Sequence, residues 1–87
     1  MRYIIRFSNR AEKSVKKIPE HIAERILKKI AKLGENPFAL PYEKLRGKEN
    51  IFRIRVGEYR VIFAFMKKER EIYILRIEKR EKVYEGL

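Results

Sequence analysis

Hydrophobic and polar positions change rhythm along this chain. Residues 2–7, RYIIRF, make a short run rich in β-branched and aromatic side chains, which reads as a strand. Ser8 or Asn9 then offers a helix cap. Beyond it Ala11, Val15 and Ile18 share one helical face, while Lys13, Lys16 and Lys17 point elsewhere. Pro19 ends this helix or opens the next at its first turn. In the second helix Ile22, Ile26, Ile30 and Leu33 recur at spacings of four, four and three, and Ala23 and Leu27 widen the stripe. Gly34 reads as its C-terminal stop. The two helices are expected to form a hairpin with one apolar side, and the bases on their outer faces to be solvated.

From residue 51 the period falls to two. The stretch before it, NPFALPYEKLRGKEN (36–50), carries two prolines and a glycine and reads as loop. Strands are predicted over 51–56, 59–66 and 71–78. Gly57-Glu58 makes the first turn, with glycine leading as a type II′ hairpin requires. KKER (67–70) makes the second, and the tail EKVYEGL leaves the last strand with room for one turn of helix. The order is β-α-α-β-β-β. It specifies an α+β domain whose helix hairpin covers one face of a mainly antiparallel, twisted sheet.

Pairing IFRIRVGEYRVIF (51–63) through Gly57-Glu58 sets Arg55 opposite Arg60, Ile54 opposite Val61 and Arg53 opposite Ile62. Alternation then puts Phe52, Ile54, Val56, Tyr59, Val61 and Phe63 on a core face and Arg53, Arg55 and Arg60 on the other. For the third strand, setting Val61 beside Leu75 and Phe63 beside Tyr73 extends the core face through Ile77. It also brings Arg76 beside Arg60, and it needs an odd loop length around 67–70. No acid is expected on the arginine face, since Glu58 sits in the turn and Glu71 at the far end. Like charges directly opposite on a sheet are destabilising. An anion between them turns that repulsion into binding, because guanidinium forks match phosphate. The concave, helix-free side is therefore a candidate phosphate-binding surface.

Composition strengthens this expectation. The chain has 87 residues, which suits one domain, with 23 Lys and Arg against 12 acids and a net charge of +11. Such a field attracts polyanions. Every acid is Glu, and Asp, Gln, Thr, Trp and Cys are absent. That usage resembles the charge-rich, thermolabile-poor composition of thermophiles. No apolar run approaches the roughly 20 residues of a membrane span. With Cys absent, a cytoplasmic setting is the expectation.

The same inventory removes several chemistries. There is no Cys nucleophile, and the lone histidine, His21, falls at the start of the second helix. No cluster of metal-ligating types and no Gly-rich phosphate loop occurs. A cationic site with tyrosines remains. Cleaving RNA needs little more, since the substrate's own 2′-OH can attack the adjacent phosphate. Arginines stabilise the charge that develops. A tyrosine is the better proton carrier, because an arginine releases its proton only above about pH 12. Tyr84 lies just beyond Arg80, at the exit of the last strand.

KLRG (44–47), then IFRIRVGEYRVIF, then KREKVY (79–84), resembles the RelE toxins of toxin–antitoxin systems. The similarity runs over nearly the whole chain, so residues 1–87 are expected to form a single RelE-like domain. The resemblance implies a metal-independent mRNA endonuclease, needing no cofactor and acting in the ribosomal A site. Its products would be a 2′,3′-cyclic phosphate and a 5′-hydroxyl. Arg53 and Arg55 match strand positions that are often lysine in the family, Arg60 its arginine in "YR", Arg80 the arginine after the last strand, and Tyr84 the C-terminal tyrosine. These five are the implied catalytic set. Arg60 and Arg80 would hold the scissile phosphate and leaving oxygen, and Tyr84 would stack on a base or take the 2′-OH proton. Lys44 and Arg46 would contact RNA backbone, with Arg76 joining from the arginine face. Arginine at 53 and 55 keeps the charge but not a lysine's proton transfer. The Glu/His pair of some relatives is not matched. Implied partners are an acidic, RelB-like cognate antitoxin that folds on binding, in a heterotetrameric complex, together with the ribosome and its message; no membrane is implied. Two other readings stay open: a sister toxin of the ParE type acting on DNA gyrase, and a non-catalytic basic RNA- or ribosome-binding module.

Overall fold

Ser8 decides where the first helix begins. Its Oγ accepts from the Ala11 amide at 3.0 Å, and its hydroxyl donates to the Leu75 carbonyl at 2.8 Å. One side chain thus caps α1 (Asn9–Lys17) and ties it to the strand beneath. The computed structural model describes residues 2–38, 40–45, 47 and 49–79. β1 (Ile4–Phe7) precedes α1, and α2 (Glu20–Glu35) follows it. Then come β2 (Glu43–Lys44), β3 (Ile51–Val56), β4 (Tyr59–Met66) and β5 (Glu71–Lys79). Among the described residues no helix is long and apolar enough to cross a membrane.

The strands form one five-stranded sheet in the order β1-β5-β4-β3-β2, antiparallel except for β1 against β5. α1 lies over β5 and β1, and α2 lies against β1 and β3. Ala11 and the α2 stripe of Ile26, Ile30 and Leu33 meet Ile54, Val61, Phe63, Ile72, Ile74 and Ile77 in the core. Burial of each such aliphatic or aromatic side chain contributes about 1.5–3 kcal/mol. The α+β architecture and the core face of the β3–β4 hairpin are as the sequence pattern predicts. The turn agrees too: Gly57 has φ +61° and Glu58 does not share it, as type II′ requires.

Four details differ from expectation. The predicted loop 36–50 contains β2, which pairs Glu43 with Arg53 and Lys44 with Phe52. Two residues are too few to show a period. Gly34 is not a helix stop, because α2 continues to Glu35 with its cap at Asn36. It is there for close approach: a Cβ at Gly34 would lie 2.9 Å from Ile5 Cδ1 and 3.3 Å from the Tyr3 carbonyl oxygen. The Tyr3 amide donates to the Gly34 carbonyl at 2.7 Å, so α2 and the start of β1 meet backbone to backbone.

The third difference is the β4–β5 register. The loop between these strands is even, with Met66 opposite Glu71, and Phe63 faces Ile74 where Tyr73 was expected. An irregularity between Ile62 and Phe63 then shifts the pairing, so Val61 faces Ile77 and Leu75 is the extra residue of a bulge. Ile72, Ile74 and Ile77 are therefore buried, while Tyr73 is 38% exposed. Last, Arg76 lies opposite Ile62, and Glu78 takes the place beside Arg60.

Replacing Gly34 by valine overpacks the α2–β1 contact. We expect a loss of about 2 kcal/mol in guanidinium unfolding, or roughly 10 °C in Tm. An unchanged midpoint would show that β1 can move away from the helix at no cost.

Candidate functional site

The helix-free face is built by parity. β3 turns Ile51, Arg53 and Arg55 away from the helices, and β4 turns Arg60, Ile62 and Ala64 the same way. The bulge in β5 then places Arg76 and Glu78 on this face. Two rows result. One runs Glu43, Arg53, Ile62, Arg76 across four strands, and the other runs Arg55, Arg60, Glu78 across three.

Arg55 and Arg60 are direct register partners, as the sequence predicts. Their surroundings differ sharply. Arg55 is exposed, whereas Arg60, on the central strand, is only 4% exposed. A buried guanidinium is costly unless opposite charge and hydrogen bonds compensate, and Glu78 on β5 faces Arg60 from the side away from Arg55.

The face is not free of acids, contrary to expectation. Arg53 donates to one Glu43 oxygen from both Nε, at 3.1 Å, and Nη2, at 2.6 Å. Glu78 Oε1 lies 3.3 Å from Arg76 Nε and 3.8 Å from Arg10 Nη2, which reaches in from α1. Five arginines thus stand against two glutamates. Glu43 was hidden because 43–44 reads as loop, whereas Glu78, two residues beyond Arg76, falls on its face in the expected register as in the observed one and was legible from alternation. The Glu43 carboxyl is held below its ordinary pKa, first by the hydrogen bond from Arg53, then by the charge of Arg53, and further by the fields of Arg55 and Arg60; some loss of hydration works the other way.

Beside the charged rows, Leu45, Ile51, Ile62 and Leu75 line a hollow of about 520 Å³ with Ser8, Arg10 and Arg76 at its rim. The face therefore offers guanidinium forks next to an apolar floor, which is chemistry suited to a phosphate joined to a flat base.

Against this geometry, the comparisons with known proteins are specific. The family model for the ParE toxin of type II toxin–antitoxin systems matches residues 5–84. The chain belongs to the RelE/ParE toxin family. Its relatives place it among the RelE toxins. A Methanocaldococcus jannaschii protein assigned as a RelE toxin is 29% identical over 91 residues, covering 99% of each chain. The Escherichia coli mRNA interferase toxin RelE is 26% identical over 84 residues, covering 94% of this chain and 87% of that one. In the Pyrococcus horikoshii RelE–RelB complex, the matching chain superposes with a TM-score of 0.79 at 27% identity, covering 92% of this chain and 97% of that one.

Of the RelE-type site residues expected from the sequence, Arg53, Arg55, Arg60 and Arg76 share the helix-free face. Lys44, opposite Phe52, is turned by strand alternation to the other face, and its neighbour Glu43 takes the place beside Arg53. Arg46, Arg80 and Tyr84 lie outside the described residues, as do residues 80–87 of the predicted tail.

The Glu43–Arg53 pair has a readable consequence. A depressed carboxyl pKa contributes stability that is present above the ordinary carboxylate value and lost as pH falls through the lowered one. Glu43 is exposed, so salt weakens the effect. NMR titration should place the Glu43 midpoint below the ordinary carboxylate value, and Arg53→Ala should raise it towards that value. A midpoint that does not move in Arg53→Ala would mean the pair does not form in solution.

Proposed function

We propose that this RelE-family toxin is a metal-independent endonuclease that cuts messenger RNA on the translating ribosome. The observation that carries the reading is Arg60. It is a nearly buried guanidinium on the middle strand, with Arg55 opposite and Arg53 and Arg76 in the adjoining row. A charge held in place by the sheet needs no reorganisation when negative charge grows on a bound phosphate. The likeness to a RelE named as an mRNA interferase supports the reading.

The reaction needs no external nucleophile. The substrate's 2′-oxygen forms a bond to phosphorus as the bond from phosphorus to the 5′-oxygen breaks. One proton leaves the 2′-hydroxyl and one reaches the departing oxygen, giving a 2′,3′-cyclic phosphate and a 5′-hydroxyl. Arg60 and Arg55 hold the non-bridging oxygens. Arg53 binds the neighbouring phosphate once Glu43 yields its fork, and Arg76 closes the row. Arg80 and Tyr84, assigned from the sequence alone, complete the set: Arg80 on the leaving oxygen, Tyr84 on the 2′-hydroxyl or stacked on its base. The apolar hollow receives the base beside the cut.

An acidic antitoxin of the RelB type is the proposed partner. Solved RelE–RelB complexes among the structural relatives support it, and so does a net charge of +11 that an acidic chain would neutralise. A heterotetramer is the proposed assembly. A gyrase-inhibiting activity is the second reading, favoured by the ParE description of the matching family model.

Induced expression followed by primer extension on a translated message should show sharp, codon-phased cuts. Arg60→Ala with Arg80→Ala should remove them, and Arg60→Lys should weaken cleavage at least about a hundredfold, because an ammonium keeps the charge but not the fork. Thermal melts check that the variants fold. Full toxicity in a folded double variant would end the proposal, and intact transcripts beside a gyrase defect would favour the second reading.

A further inference from the structure

The bases of α2 look like a solvated face in the sequence. In the fold they divide. On a helix of 3.6 residues per turn, Arg25, Lys29 and Lys32 fall on the flank next to Ile22, while Lys28 lies at its border, beside Glu24 and Glu35. All four cations are exposed. Among the described residues none of them enters an ion pair, whereas Arg53 and Arg76 on the sheet each face a glutamate. With Val56 and Gly57 of the hairpin end they line a hollow of about 250 Å³.

Lys29 also lines a second hollow, of about 190 Å³, with Glu43, Arg53 and Arg55. The two hollows therefore meet at one side chain. The sheet leaves a passage between them, because β2 pairs with β3 only at Phe52 and Arg53. Ile54, Arg55 and Val56 have no strand neighbour on that side among the described residues. Cations thus run from the arginine face, past Leu40, Pro41, Tyr42 and Glu43 in the lining beside β3, to the flank of α2.

We propose that this flank is a second polyanion-binding surface, holding the phosphodiester backbone of the same RNA strand whose reacting phosphate lies on the arginine face. The proposal rests on the RNA reading above. RNA suits the track better than an acidic protein segment does. A segment that folds on binding needs apolar surface to compensate its ordering, and in the α2 hollow Val56 is the one large apolar side chain and is itself buried, Leu40, Pro41 and Tyr42 lying in the neighbouring hollow. Lysine ammoniums on flexible stems match backbone phosphates, which position a strand without reading its bases.

The test is binding, separate from cleavage. The probes are two unstructured RNAs with 2′-O-methyl sugars, which cannot be cut: one of about twelve nucleotides, long enough to span both surfaces, and one of about three, sized for the arginine face alone. Lys29→Glu with Lys32→Glu should weaken the long RNA about tenfold and lower its salt slope by about 1.4, near 0.7 for each lost phosphate contact. The short RNA should be nearly unaffected. Lys13→Glu with Lys16→Glu on α1 makes the same change in net charge and should cost the long RNA less than about twofold. Thermal melts confirm that both variants fold. Equal losses in the two variants would overturn the proposal in favour of a diffuse field, and no loss in the α2 variant would overturn it outright. Unchanged RNA binding with weakened binding of a polyglutamate peptide would overturn it in favour of a protein-docking face. The cleavage reading stands or falls separately, since transcript mapping does not report on this affinity.

Discussion

The register of β4 is the constraint on which the rest depends. Val61 and Phe63 are fully buried under the helices, and Arg60 is buried on the other side of the same strand. A slip of one residue would exchange these environments, bringing charge into the core and exposing the aromatics. Apolar burial against Ile26, Ile30 and Leu33 therefore sets where the central guanidinium stands. The site is held by the core although no site residue belongs to it.

The electrostatics follow from that placement. Arginine opposite arginine on a sheet is unfavourable in isolation. Glu43 and Glu78 relieve the repulsion from the two sides without cancelling it. The Glu43 pair is exposed and weakly held, as surface pairs are, so a phosphate can compete with it for Arg53. Glu78 is more enclosed and is braced by Arg10 and Arg76. One acid is thus placed to be displaced and the other to stay. Beyond the sheet, the α2 flank carries cations that enter no ion pair among the described residues, and the field of the molecule continues around the β3 edge.

Period and turn chemistry made much of the fold legible. The β3–β4 hairpin could be paired residue by residue, because the Gly57-Glu58 turn fixes its register and alternation fixes its faces. Parts of the site were hidden for equally definite reasons. Register in β5 depends on a bulge at Leu75, which leaves no mark in the hydrophobic pattern, so Glu78 took the place beside Arg60 that was expected for Arg76. Glu43 sits in a two-residue strand that exists through its pairing with β3. Gly34 carries the signature of a helix stop, but its reason is the approach of β1.

By itself, the sequence determined the element types, the apolar stripe of α2, the two faces of the hairpin and the excess of positive charge. Each of these follows from local spacing and composition. Only the tertiary structure decided which acids face the arginines, that Arg60 is buried while Arg55 is exposed, and that Lys29 links the α2 flank to the sheet. Those depend on contacts between residues far apart in the chain, where a single bulge or a two-residue edge strand changes which side chains share a face.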